Sequence, residues 1–302
     1  MNRILITGIA GFIGSNLADR LLKEGYSVVG IDNLSYGVRE QVPSGVEFHK
    51  LDIRSKEIYP VFEGIDAVFH FAAKNCLPDC QKDPLETADI NVTGTVNVFE
   101  AVRKAGVPKI IYAESSAIYE DRALGFYAIS KMACNAFASG YREAYNVTSI
   151  GLRYFNVYGP RQDYRRTIPP VMSTFIIKAL KNEPAILYDG DENNKRDFVA
   201  VDDVNDFHLL CLRDARADNK VFDIGSGSNY SVLEVYNAVK DLLKNSAEPI
   251  RRKRLPDDPV VQTLADITQS KDLGWAPRVL LREGLEQMIA YIREEMKKGN
   301  IK

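Results

Sequence analysis

The segment Ile4-Leu5-Ile6-Thr7-Gly8-Ile9-Ala10-Gly11-Phe12-Ile13-Gly14 constrains this chain more than any other. An apolar run leads directly into three glycines spaced three apart, and a helical pattern follows. Glycine permits the tight turn, lets backbone approach an anion and allows helix and strand to pack closely, while the helix N-terminus favours negative charge. A strand, a glycine turn and a helix in that order suit the diphosphate of a dinucleotide; the plain alternative is a strand-turn-helix without a ligand. Asp32 ends the second strand pattern, eighteen residues past Gly14. A carboxylate there accepts hydrogen bonds from a free ribose diol and repels a 2′-phosphate, so NAD is expected rather than NADP.

Through the first half, β-branched runs at 4–7, 27–31, 46–51, 67–71, 109–113 and 148–153 alternate with helical stretches near 12–25, 55–63, 86–106 and 128–146. Such alternation requires an α/β fold, a doubly wound parallel sheet with right-handed crossovers. Proline and glycine then break the second half into shorter elements, predicting a smaller, loop-rich domain. The boundaries expected are 1–155 and 156–302, with part of 197–226 returning to the first domain. The run Arg251-Arg252-Lys253-Arg254 reads either as a solvated face or as a source of an arginine for a substrate phosphate.

At 302 residues the chain is long enough for one large α/β unit or two coupled domains. Its 41 acidic and 39 basic side chains leave a formal charge of −2, which gives no bulk attraction to nucleic acid or an anionic membrane. Four scattered cysteines do not form a disulfide framework, and reduced thiols in the cytoplasm are the expectation. The first residues lack the apolar core and small-residue cleavage site of a signal peptide, and no apolar run approaches about 18 residues, so neither export nor membrane insertion is expected.

Tyr127 and Lys131 stand four apart in a helical pattern, hence on one face. A phenol with pKa about 10 is a poor base near neutrality, but a nearby ammonium and a positive nicotinamide ring both favour phenolate. Read alone, a pair at this spacing is usually surface decoration.

Taken together, these segments resemble the extended short-chain dehydrogenase/reductase family, in particular nucleotide-sugar 4-epimerases of the UDP-glucose 4-epimerase type. The likeness runs through Gly-x-x-Gly-x-x-Gly, Asp32-Asn33-Leu34, Leu51-Asp52-Ile53, His70-Phe71-Ala72-Ala73 and Asn91-Val92-Thr93-Gly94-Thr95. It continues in Leu152-Arg153-Tyr154-Phe155-Asn156-Val157-Tyr158-Gly159-Pro160, Arg196-Asp197-Phe198-Val199 and Leu273-Gly274-Trp275. The resemblance implies a Rossmann-like domain with a smaller C-terminal substrate-binding domain, tightly bound NAD and a UDP-hexose substrate interconverted through a 4-keto intermediate.

Carried over residue by residue, the resemblance puts Gly8, Gly11, Phe12, Ile13, Gly14, Asp32 and Asn33 on the cofactor, and Asp52 and Ile53 beside its adenine. Phe71, Ala72, Ala73, Asn91 and Tyr154 complete the cofactor set with Tyr127 and Lys131. Tyr127 becomes the base and Ser115 the hydroxyl that binds the reacting oxygen, with Ser116 or a merely structural serine turn as alternatives. Asn156, Arg196 and Arg254 meet the nucleotide diphosphate; an ion pair of Arg196 with Asp197 or Asp203 is the structural alternative. Cys76 and Cys80 are expected to line the pocket, since no second Cys or His cluster completes a metal site. His49, His70 and His208 are expected in packed or surface roles.

Three departures bear on substrate: only seven residues separate Tyr119 from Tyr127, Glu114 replaces a small residue or serine, and 162–167 is short. An ADP-heptose 6-epimerase is the same-fold alternative, disfavoured by Asp32 given that group's usual NADP preference. A non-catalytic NAD-binding regulator would have no need of the base. A 4,6-dehydratase would carry an Asp-Glu pair where this chain has Ser116 and Ala117. Apolar residues around most of the circumference of 89–105 and 132–145 predict a homodimer through paired helices.

Overall fold

A computed structural model describes residues 2–119, 125–166, 168–254 and 260–301. Strands β1 (Arg3–Thr7), β2 (Ser27–Ile31), β3 (Val46–His49), β4 (Ala67–His70), β5 (Ile110–Ser115) and β6 (Ser149–Tyr154) lie within about two residues of their sequence positions. The helices among them are α1 (Phe12–Lys23), α2 (Leu77–Lys82), α3 (Pro84–Ala88), α4 (Gly94–Ala105) and α5 (Phe126–Tyr145). The second half contributes β7 (Val157–Tyr158), α6 (Val171–Leu180), β8 (Ile186–Tyr188), β9 (Lys195–Asp197), β10 (Val199–Ala200) and α7 (Val201–Arg213). It ends with β11 (Val221–Ile224), β12 (Asn229–Ser231), α8 (Val232–Leu243), β13 (Ile250–Arg252), α9 (Thr268–Asp272) and α10 (Leu281–Lys297).

Seven strands form one sheet in the order β11-β6-β5-β4-β1-β2-β3, and the pairings from β6 to β3 are parallel. Helices cover both faces of such a sheet, so its inner strands are mostly apolar runs rather than alternating; β4 is buried at every position, while β3 at the edge is not. The order reverses between β1 and β4, the switch point at which α/β sheets open a crevice at their C-terminal edge. The Rossmann-like doubly wound α/β fold is the one expected.

Local chemistry explains where the elements differ from expectation. Pro60 lies inside 56–62 and removes an α-helical donor, and that stretch is a 3-10 helix. The expected helix over 86–106 is three pieces: α3, a π-turn at Asp89–Thr93, and α4, which stops at Gly106 with φ of +66°. The stretch after β4 is not all loop: α2 begins there, with Pro78 in its first turn, where a missing N–H costs nothing.

The chain divides into two compact units. Unit 1 comprises residues 1–154, Asn205–Asp223 and Gln269–Trp275; unit 2 comprises Phe155–Val204, Ile224–Thr268 and 276–302. No sequence pattern announces that 269–275 belongs to unit 1; there Trp275 packs edge-on against Phe207 at 5.2 Å, and Phe207 does the same with Phe222 at 5.2 Å. Unit 2 is less loop-rich than expected. Its core joins α6, α8 and α10 through Met172, Phe175, Ile176, Val235, Leu285 and Met288. The basic run splits: Arg251 and Arg252 lie exposed on β13, which pairs with β8, while Arg254 is half-buried.

Candidate active site

In unit 1 the glycine turn has the geometry its spacing implies. Gly8 lies at φ +74°, and a Cβ on it would come 2.7 Å from Ala72 N. A Cβ on Gly14 would sit 2.4 Å from Gly8 O. No side chain caps the start of α1, and no acidic residue occupies its first turn, where Phe12 and Ile13 lie half-buried. The N–H groups and positive dipole end there remain open to an anion. These features fit a dinucleotide diphosphate.

Asp32 follows β2 and is 9% exposed. Its Oδ2 accepts Ala10 N–H at 3.0 Å and its Oδ1 accepts Leu34 N–H at 2.8 Å. Burial pushes its carboxyl up, opposed by these two backbone donors. Leu34 holds a left-handed φ of +62°, unusual for a leucine and found where a loop is fixed by its surroundings. Asn33 donates to Asp52 Oδ2 at 2.9 Å, and Arg54 grips the same carboxylate at 2.7 Å, holding it far below the usual carboxylate range. Asp52 thus braces the loop carrying Asn33, while Ile53 packs beneath Gly94, where a Cβ would lie 2.6 Å from its Cδ1.

Beyond β4, Phe71, Ala72 and Ala73 are half-buried, with Phe71 N–H donating to Thr7 O at 3.0 Å. Asn91 sits inside the π-turn and is buried. Its amide donates to Lys74 O at 3.0 Å and Ser130 Oγ at 2.9 Å, and its Oδ1 accepts Lys74 N–H at 2.8 Å. Both amide hydrogens are taken by protein, so Asn91 ties the loop after β4 to α5. Lys74, in the loop after β4, is buried and meets Glu86 at 2.5 Å. Cys76, Cys80, Cys134 and Cys211 are buried free thiols. Among the described residues no group of three or more His, Cys, Asp or Glu side chains is arranged for a metal ion.

Two buried histidines organise the strands. His70 lies between the hydroxyls of Thr7 at 2.7 Å and Thr95 at 2.9 Å, and burial pushes its pKa down to about 3. His208 likewise falls to about 3 through burial. With its Nδ1–H toward Asn205 Oδ1 at 3.3 Å, neutral His208 accepts the Tyr154 hydroxyl on Nε2 at 2.7 Å. Phe71 packs against both rings, 6.4 Å from Tyr154 and 5.3 Å from His208. His208 could not have been paired with Tyr154 from sequence, where 54 residues separate them.

Strand β5 ends at Ser115, whose Oγ accepts Ala117 N–H at 3.2 Å, and Ser116 opens a 3-10 turn through Tyr119. The short segment 120–126 lies outside the described residues up to 124. Tyr127 occupies the first turn of α5, half-buried. Lys131, 6% exposed, donates from Nζ to Ala113 O at 3.0 Å, with the Tyr127 ring centroid 5.9 Å from the ammonium. The tyrosine-lysine face of α5 is thereby anchored to the end of β5, two residues from Ser115.

In unit 2, Asn156 donates to Asp197 O at 2.8 Å and so joins the strand carrying Arg196. Arg196 Nη1 donates to Asn194 Oδ1 at 2.6 Å and Val261 O at 2.5 Å. Asp197 accepts from Ser226, Gly227 and Ala265, and Asp203 from Arg278 N–H and Val279 N–H. Arg254 pairs with Asp191 and donates from Nε to Asp189 O at 3.1 Å. The stretch 255–259 beside it, and Thr167, lie outside the described residues.

Residues 4–225 match the family model of the NAD dependent epimerase/dehydratase family. The chain is similar to the UDP-glucose 4-epimerase of Mycolicibacterium smegmatis, 33% identical over 97% of this chain and 99% of the relative. Its structure is similar to that of Thermotoga maritima UDP-glucose 4-epimerase with UDP-glucose, at a TM-score of 0.92 and 31% identity, covering 97% of this chain and 99% of that one. It is also similar to Bacillus cereus UDP-glucuronic acid 4-epimerase in complex with UDP-glucuronic acid and NAD, at a TM-score of 0.86 and 28% identity, covering 97% and 99%. With a glycine turn shaped for a dinucleotide and a likeness to these relatives over 97% of its length, the chain belongs to the NAD dependent epimerase/dehydratase family, alongside its nucleotide-sugar 4-epimerases, and NAD is its cofactor.

Proposed function

We propose that the enzyme inverts C4 of a UDP-hexose, most simply UDP-glucose and UDP-galactose, with unit 1 binding NAD and unit 2 the nucleotide. The observation that carries this reading is Lys131, held by Ala113 O at the end of the strand bearing Ser115, with Tyr127 one helical turn away on the same face. NAD, when bound, supplies the hydride acceptor that returns the same hydride to the opposite face of the sugar. Tyr127 takes the proton of the C4 hydroxyl, Lys131 favours its phenolate, and Ser115 hydrogen-bonds the reacting oxygen. Asn156, Arg196 and Arg254 serve the diphosphate, the arginines through a planar fork that donates paired hydrogen bonds. Relatives named for UDP-glucose, UDP-N-acetylglucosamine and UDP-glucuronic acid support a UDP-sugar. Ser116 and Ala117 offer no acid or base for water elimination at C5 and C6, which favours epimerisation over dehydration.

A second copy is the partner proposed. Leu85 is 81% exposed, and Ile129, Met132 and Phe137 on α5 are each more than 40% exposed, forming an apolar face suited to pairing. Among the described residues no helix is long and apolar enough to cross a membrane, and the buried free thiols accord with a cytoplasmic setting.

The test incubates the purified protein with UDP-, ADP-, GDP- and dTDP-sugars in D₂O without added cofactor, followed by NMR. A C4 epimer of a UDP-hexose free of solvent deuterium is expected. A 4-keto-6-deoxy product deuterated at C5 overturns the reaction class, and inversion at C6 of an ADP-heptose replaces the substrate. Tyr127→Phe should retain NAD and lose about 10²–10⁴ in turnover.

A further inference from the structure

Strand β5 buries a carboxylate between two half-buried residues at its C-terminal end. The Glu114 side chain is 2% exposed and lies between Ala113, whose carbonyl holds Lys131, and Ser115. Its Oε2 accepts from Arg153 Nε at 2.7 Å and its Oε1 from the Tyr112 hydroxyl at 3.1 Å. The neighbouring strand makes room for this pair: a Cβ on Gly151 would come 2.7 Å from Glu114 Oε1 and 2.8 Å from Tyr112 Oη. The network then continues toward the turn after Ser115. Arg153 Nη1 donates to the Tyr119 hydroxyl at 2.7 Å, which donates to Asp223 Oδ1 at 3.0 Å, and Arg153 itself is 3.8 Å from Asp223.

Every element packed here contributes a group. Tyr112 and Glu114 come from β5, Arg153 from β6, Asp223 from β11, and Lys131, Cys134 and Asn135 from α5, with His70 of β4 facing Lys131. His70 is neutral through burial, and burial pushes the phenol of Tyr112 far above its usual range; burial also pushes the Glu114 carboxyl up, opposed by the Arg153 guanidinium it pairs with, so the charges of this network are the carboxylates of Glu114 and Asp223 and the guanidinium of Arg153. Their sum is one negative charge. Buried ion pairs add little net stability once desolvation is counted, but they set the local potential strongly.

We propose that Glu114 is a positioning residue for the Ser115, Tyr127 and Lys131 set, fixing the turn after Ser115 through Arg153 and Tyr119, while its negative charge beside Lys131 holds back ionisation of Tyr127. The proposal rests on Tyr127 being the base. Glu114→Gln keeps the shape and removes the charge, leaving Arg153 paired with Asp223 and the Lys131 ammonium uncompensated. Phenolate is then favoured, so the acid limb of kcat moves to lower pH.

The test measures kcat and KM for the UDP-hexose from pH 5.5 to 9.5, bound NAD and Tm, for the wild type, Glu114→Gln, Asp223→Asn and Tyr127→Phe. The expected result for Glu114→Gln is a downward shift of the acid limb by about half a pH unit or more, a roughly threefold gain in relative kcat on that limb, with NAD content retained. Asp223→Asn removes the outer charge and should shift the limb in the same direction by less; it decides the matter if Glu114→Gln does not fold. A lower Tm with an unmoved limb in the folded variants overturns the proposal and leaves the base assignment standing, provided Tyr127→Phe has lost turnover. Wild-type turnover in Tyr127→Phe overturns both.

Discussion

Replacing Asp197 by asparagine tests how the strand carrying Arg196 is held. The side chain is fully buried, and its two oxygens face four donors. Oδ1 accepts Ser226 N–H at 2.6 Å and Ser226 Oγ at 2.8 Å; Oδ2 accepts Gly227 N–H and Ala265 N–H, each at 3.0 Å. Asparagine preserves the shape but sets an amide NH₂ where one oxygen stood, so two donors lose their acceptor whichever way it turns. Hydrogen bonds to a charged group contribute about 1.5–3 kcal/mol each, which gives about 3–6 kcal/mol for two. The Ser226 hydroxyl has Ser228 O at 2.8 Å as another acceptor, so the amide nitrogen should settle on that side and the loss should fall near the lower end, about 3 kcal/mol. At about 2–4 °C per kcal/mol, Tm should drop by about 6–12 °C. Urea denaturation and calorimetry on the NAD-loaded protein measure this directly. Because Asn156 also leans on Asp197 O, KM for the nucleotide-sugar should rise more than kcat falls. A stability loss below about 1 kcal/mol would refute the reasoning, because it would mean that these donors find water or other acceptors at little cost.

Asp32→Ser removes the carboxylate proposed to meet the ribose while the Ala10 and Leu34 N–H groups keep a hydroxyl acceptor; the preference for NAD over NADP should fall by about tenfold or more, read by titration calorimetry on apoprotein. His70 and His208 have folded pKa values near 3 against 6.5 unfolded, so their stabilisation is complete above pH 6.5 and is lost as pH falls toward 3. By pH 5 each should cost about 2 kcal/mol, and His70→Gln should shrink the difference between urea curves at pH 7.5 and 5 by about that amount. For the apolar face of α5, light scattering at micromolar concentration should give a dimer and Ile129→Glu with Phe137→Glu a monomer; a monomeric wild type sinks that assignment.

Period and punctuation made much of this protein legible in one dimension. Five of the six predicted strands of the first half are runs that burial on both faces forces to be apolar, and the glycine turn announced itself because Gly8 and Gly14 have no room for a Cβ. Tyr127 and Lys131 were visible for a similar reason: four residues on a helix is a contact that sequence spacing encodes. Other features depend on partners far along the chain. At Asn91 the fold brings Lys74 and Ser130 to the amide from 17 and 39 residues away, a bracing role that no local spacing encodes. Glu114 stood out as an odd residue, but its role needed Arg153 and Asp223 to be delivered by β6 and β11. Trp275 packs within unit 1 against Phe207, itself seated on Phe222, from far along the chain. Local backbone preference and hydrophobic period are properties of neighbouring residues, whereas burial of a charge and satisfaction of its hydrogen bonds are decided by whichever distant strands pack beside it.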